Sequence, residues 1–188
     1  VKEVRDREGL KHLVDFYENG VARLRTAEGD IEVPYIAMQY CPKGNIARVA
    51  GRLSPHDALL VALQVGTTLL RCYEQRVFLK HGDLKPENVL IDEEGRTAVT
   101  DFQTALRERE TRMGAVAYTP GYYHEAHDDR ADVYALGRLL LDLTSGLEAP
   151  EDSAPAQLRD LIAAARSRDP PRMREFVKKA EKLLPYLA

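Results

Sequence analysis

The strongest constraint on the fold is a change of hydrophobic period at Ser54. Before it, short apolar runs alternate with turn residues. Leu13 to Tyr17 reads as a strand, Asn19-Gly20 as a tight hairpin turn, and Val21 to Arg25 as the returning strand. Val33 to Tyr40 reads as a third strand, ended by Pro42 and Gly44. After Ser54 the spacing becomes helical. Ser54 can cap, Pro55 suits the first helical position, and Asp57 favours the positive end of the helix dipole. Leu59, Leu60, Leu63, Leu69, Leu70 and Tyr73 then recur on one face, predicting a helix over 55–78. Short strands at 89–91 and 96–100 flank a Glu94-Gly95 turn, and a long loop runs from 101 to about 130. Further helices are expected at 131–145, closed by Gly146, and at 156–167 and 172–184. Antiparallel strands followed by helices define an α+β fold.

Composition narrows the function classes. A chain of 188 residues with 44% hydrophobic and 30% charged residues suits one globular domain. A net charge of −3 gives no general attraction to nucleic acid or to an anionic membrane, so neither is expected as a partner. No apolar run approaches the ~18 residues a membrane span needs. The charged start, Val1 to Glu8, is unlike a signal peptide, and Val1 suggests a trimmed start or a fragment. Cys41 and Cys72 sit in apolar contexts and read as buried free thiols in a reducing, cytoplasmic setting.

The chemistry is concentrated in His81-Gly82-Asp83-Leu84-Lys85-Pro86-Glu87-Asn88, followed thirteen residues later by Asp101-Phe102. Phosphoryl transfer from ATP depends mostly on positioning and electrostatic stabilisation. Magnesium needs oxygen ligands, which a carboxylate and an amide carbonyl supply; Asp101 and Asn88 provide that pair beside short strands. Asp83 can orient a hydroxyl acceptor and take its proton, and Lys85 can meet the transferred phosphate as a point charge. Each residue alone is unremarkable in a loop; the combination is not.

These residues resemble eukaryotic-like serine/threonine protein kinases, and the resemblance extends over nearly the whole chain. It implies a protein-kinase-like fold with a mostly helical C-lobe and a reduced antiparallel N-lobe. Residues 1–40 would be the partial N-lobe, with the end of a regulatory helix and three strands. Residues 41–45 would be the hinge, and 46–188 the C-lobe with catalytic loop, activation segment and helices. It implies ATP and magnesium, and a protein substrate carrying serine or threonine. Tyr35 to Asn45 resembles the strand and hinge that hold adenine. Met38 would be the gatekeeper, the backbone of Gln39 and Cys41 would pair with the adenine edge, Asn45 would lie near the ribose or the substrate, and Leu90 would pack beneath adenine. Thr119-Pro120-Gly121-Tyr122 resembles the substrate-docking loop, whose threonine hydroxyl touches the catalytic Asp and Lys, with Glu87 nearby. His81 and Phe102 would be structural parts of the site. Asp132 would anchor the catalytic-loop backbone, and Arg172 would pair with a glutamate of the activation segment. Glu3 would be the glutamate that orients an ATP-binding lysine.

Several positions depart from that pattern. No G-x-G-x-x-G segment precedes the hinge, and no strand lysine lies upstream of Glu3, since Lys2 is its neighbour. Losing one preorganised contact typically costs about 10²–10³ in rate, so turnover by these residues alone is expected to be low. A missing segment or a partner could complete the N-lobe. Gln103 replaces the glycine of D-F-G and Gly82 replaces the arginine beside the catalytic Asp, which implies no phosphate-reading switch there. His124-Glu125-Ala126 stands one residue out of step with A-P-E, and implies a Glu125–Arg172 pair. Two other functions stay open. A pseudokinase or scaffold suits the missing lysine and lid. A small-molecule phosphotransferase shares the H-G-D start, although Lys85-Pro86-Glu87 and Thr119 to Tyr122 look like protein-substrate features.

Overall fold

The computed structural model describes residues 12–102, 119–144 and 154–187. It has two small antiparallel sheets and, among the described residues, four α-helices. We label the strands β1 (Phe16–Thr26), β2 (Gly29–Met38), β3 (Val89–Ile91) and β4 (Thr97–Val99), and the helices α1 (Pro55–Glu74), α2 (Arg130–Leu143), α3 (Ala154–Ala165) and α4 (Met173–Leu183).

The N-terminal part departs from expectation. Two long strands replace the expected three, and Asn19-Gly20 runs inside β1 instead of turning. Gly20 pairs with Tyr35, and a Cβ there would lie 3.0 Å from the Tyr35 ring, so this glycine makes room for a phenol. The chain reverses at Thr26–Gly29 instead. There the Thr26 hydroxyl donates to the Gly29 carbonyl at 2.7 Å, and Gly29 adopts φ 127°, which favours glycine.

The helical part follows its sequence signals. Ser54 caps α1 by accepting from the Asp57 amide at 3.1 Å, with Pro55 in the first turn. The helix stops at Glu74, short of the expected 78. Arg76 takes a left-handed φ of 55°, its amide donates to Tyr73 O, and the Val77 amide donates to Cys72 O. That paired closure is a Schellman motif without its usual glycine. Helix α2 begins at Arg130 and ends at Leu143; Gly146 lies outside the described residues. Helices α3 and α4 occupy the predicted positions within a few residues.

Helix α1 is the centre of the core. Ala58, Leu59, Ala62, Val65 and Leu69 are fully buried, as are Leu136, Leu139 and Leu140 of α2 and Phe176 of α4. Gly66 marks a close approach of α1 to its neighbours: a Cβ there would meet Val177, Leu136 and Met173 at 3.2–3.5 Å. Cys41 and Cys72 are free and buried, as expected. The segment 12–14 runs beside β4, with Val14 N donating to Val99 O at 3.0 Å and Val99 N donating to His12 O at 2.8 Å. By contrast, β1 and β2 are largely exposed, with Val21, Leu24, Ile31, Tyr35 and Ile36 open to solvent. No helix among the described residues is long and apolar enough to cross a membrane.

Candidate active site

The site forms where the loop after α1 meets β3, the end of β4 and the segment before α2. Asp132, 1% exposed near the start of α2, sets the loop. Its Oδ2 accepts from the His81 amide at 2.6 Å and its Oδ1 from the Gly82 amide at 3.0 Å. A carboxylate accepting two successive amides fixes a turn that the loop could not hold alone. Gly82 adopts φ 85°, the left-handed conformation that turn needs. His81 is fully buried; one ring nitrogen contacts Thr100 O at 2.9 Å, and the ring lies 4.7 Å from that of Phe102.

Asp83 emerges from this turn into a polar cluster. Lys85 Nζ donates to Asp83 Oδ2 at 2.8 Å and to the Thr119 hydroxyl at 3.1 Å. The Thr119 hydroxyl donates to Asp83 Oδ1 at 3.1 Å. The Asn88 amide nitrogen donates to Asp83 O at 2.8 Å and to Asp83 Oδ2 at 3.3 Å. With its nitrogen so engaged, Asn88 has its amide oxygen left for a cation. Asp101 follows β4 with φ 62°, rare for a residue with a Cβ and a conformation associated with functional sites.

A cleft of about 530 Å³ is walled by Met38, Glu87, Asn88, Leu90, Thr100 and Asp101 among others, while Asp83, Lys85 and Thr119 are not in its wall and reach it through Asn88. Met38 and Leu90, both expected against the nucleotide, line it, and Thr100 donates to Met38 Sδ at 3.4 Å. Gln39, Cys41 and Asn45 are not in its wall. The Gln39 amide donates to Asp15 O at 2.7 Å, the Cys41 carbonyl accepts from Gly44 N at 3.0 Å, and Asn45 bridges to Leu90. Pro120 and Gly121 form an exposed turn after Thr119. Glu3 and Gln103 lie outside the described residues.

One pairing needs correction. Glu125 is exposed, and the carboxylate partners of Arg172 are Asp128 at 2.7 Å and Asp129 at 2.9 Å. The reason is proximity: these two residues lead directly into α2, where the Asp129 carboxylate also accepts the Met173 amide at 2.8 Å. Burial pushes Asp129 above the usual carboxylate range, against the amide and Arg172. Burial also acts on Asp128, but hydrogen bonds from Arg130 and the charge of Arg172 hold it below that range.

Some members of the site were not read from the sequence. Tyr122 donates its hydroxyl to Asp142, which also pairs with Arg138 at 2.9 Å, so the docking-like loop is tied to the end of α2. Burial, then Asp142, raises the Tyr122 phenol and keeps it a donor. Tyr73 reads from the sequence as an apolar helix position, whereas its hydroxyl reaches Asp132. Partners 59 residues apart leave no local signal.

A family model described as "Protein kinase domain" matches residues 7–187. The chain is 32% identical over 151 residues to the probable serine/threonine-protein kinase PknB of Bifidobacterium longum, covering 72% of this chain and 21% of that protein. It is 29% identical over 123 residues to an Aurora kinase of Patiria pectinifera, covering 60% and 30%. It is 29% identical over 154 residues to the cAMP-dependent protein kinase catalytic subunit PRKX of Mus musculus, covering 77% and 42%. The chain therefore belongs to the protein kinase domain family, and its α+β fold agrees with that membership. It spans between 21% and 42% of the length of these curated relatives.

Proposed function

We propose that this domain transfers the γ-phosphoryl group of magnesium-bound ATP to serine or threonine hydroxyls of a protein. The carrying observation is the closed triangle of Asp83, Lys85 and Thr119, joined through Asn88 to the cleft that Asp101 also lines. The acceptor oxygen bonds to the γ-phosphorus as the bond from that phosphorus to the β–γ bridging oxygen breaks. The leaving ADP keeps that bond's electrons, and Asp83 takes the hydroxyl proton. Lys85 offsets charge on the moving group, and Thr119 holds the acceptor segment against Asp83.

Asn88 and Asp101 both line the cleft, and an amide oxygen and a carboxylate are ligands that a hard cation takes, so these two would hold magnesium, which would neutralise phosphate charge when bound. Met38 and Leu90 would enclose the adenine, the Gln39 and Cys41 backbone would pair with its edge, and Asn45 would lie towards the ribose. In this reading residues 1–40 act as the partial N-lobe, 41–45 as the hinge and 46–188 as the C-lobe.

The chain carries neither a glycine-rich lid nor a strand lysine before the hinge. The exposed apolar side chains of β1 and β2 suit a covering segment or a partner chain against that hairpin. Two buried free thiols suit a reducing, cytoplasmic setting. The test is transfer of label from γ-labelled ATP to a serine- and threonine-containing peptide mixture. Magnesium-dependent labelling lost in Asp83→Asn supports the reading; labelling unchanged in that variant contradicts it.

A further inference from the structure

Asp132 holds the catalytic loop through two amides, yet a third donor shares its Oδ2. The Tyr73 hydroxyl, from the last turns of α1, donates to that oxygen at 2.6 Å, the same distance as the His81 amide. The Tyr73 ring is itself held. It meets Phe78 edge-on at 5.6 Å, Phe78 lies 5.4 Å from Phe102, and Phe102 lies 4.7 Å from His81. A closed circuit results: Tyr73, Phe78, Phe102, His81, Asp132 and back to Tyr73. Aromatic packing makes one half and hydrogen bonds to one carboxylate make the other. Without the hydroxyl, Asp132 keeps both amides but loses one of the two donors on Oδ2 that constrain its χ2, a torsion with a broad intrinsic well.

We propose that Tyr73 is a positioning residue: its hydroxyl sets the direction of the Asp132 carboxylate, and through His81 and Gly82 it sets where Asp83 points. Burial, reinforced by the Asp132 charge, keeps the phenol well above its ordinary range, so it remains a donor throughout the working pH range. The catalytic part of this proposal rests on the reading of Asp83 as the proton acceptor; the structural part does not.

Tyr73→Phe removes the hydroxyl and leaves the ring packing. The measurement is amide hydrogen exchange by NMR on the whole chain, beside kinetics of peptide labelling. The His81 and Gly82 amides are expected to exchange on the order of tenfold faster, as loss of one charge-assisted bond suggests. Core amides of α1 and α2 keep their protection, and kcat falls while KM for the peptide stays. Ala163→Gly, on the exposed side of α3, serves as a control of general destabilisation and leaves the two loop amides as they were. Unchanged His81 and Gly82 exchange in Tyr73→Phe overturns the proposal, as does equal acceleration throughout α1 and α2. If the wild-type chain labels no peptide, the phosphotransfer reading falls and takes the kcat arm with it; the exchange result still decides whether Tyr73 orients the loop.

Discussion

The Thr119 hydroxyl donates to the Asp83 carboxylate at 3.1 Å across 36 residues of sequence, and Lys85 Nζ touches both. The loop before α2 is thereby fastened to the loop before β3 at the place where an acceptor hydroxyl would stand. Because Asp83 and Lys85 occur two residues apart, Thr119 is the member of the three that ties the segment at 119–122 to the loop before β3.

Thr119→Ala should lower transfer by about 10–100-fold, since one positioning contact to Asp83 and Lys85 disappears while both charges stay. Thr119→Ser keeps the hydroxyl and should retain most of the activity. Initial rates of peptide labelling at saturating nucleotide check both variants. Equal rates for Thr119→Ala and Thr119→Ser would show that the hydroxyl is not used.

Asp132→Ala should cost about 3 kcal/mol or more in urea unfolding. It leaves the His81 and Gly82 amides and the Tyr73 hydroxyl without their acceptor in a buried place. Asp132→Asn keeps one acceptor oxygen and should fall between alanine and wild type. The denaturation midpoints order the three proteins.

Much of this architecture was legible because its signals are local. The Ser54-Pro55 start of α1, the paired short strands and the order from His81 to Asn88 each depend on residues a few positions apart. The hairpin was misread because Asn-Gly is a strong turn signal. At Gly20 that signal is overruled by the Tyr35 ring across the sheet, a contact with no local trace. The resemblance pairs Arg172 with Glu125, while the fold places Asp128 and Asp129 against its guanidinium. The shared use of Asp132 by Tyr73 and the catalytic loop joins residues from three parts of the chain, so only coordinates display it.

Gly137→Ala should destabilise the domain by about 1–3 kcal/mol, the usual cost of overpacking. The added Cβ would stand 2.7 Å from the Ala165 Cβ and 3.3 Å from the Ala165 backbone carbon, so α2 and α3 must separate. Gly66→Ala meets only side-chain atoms at 3.2 Å and beyond, and should cost less. Thermal melts of the two variants compare them directly.

Alkaline pH should unfold the protein. Burial pushes the Cys72 thiol from 9.0 to about 12, so the native state keeps a proton that the unfolded chain releases earlier. Stability from this group is fully present below pH 9 and is lost as pH rises towards 12. Tyr73 and Tyr122, also raised chiefly by burial, act in the same direction above pH 10. The slope approaches about 1.4 kcal/mol per pH unit for each such group. Urea midpoints between pH 8 and 11 measure it, and Cys72→Ala should flatten the first part of the decline.

Calorimetric titration of the chain with ATP, with and without magnesium, in wild type and Asp101→Asn, addresses the site most directly. Asn88 and Asp101 as cation ligands predict nucleotide binding that strengthens with magnesium in the wild type and loses that dependence in Asp101→Asn. Equal affinity with and without the metal in the wild type, or an unaltered metal dependence in the variant, would contradict the assignment of the cleft.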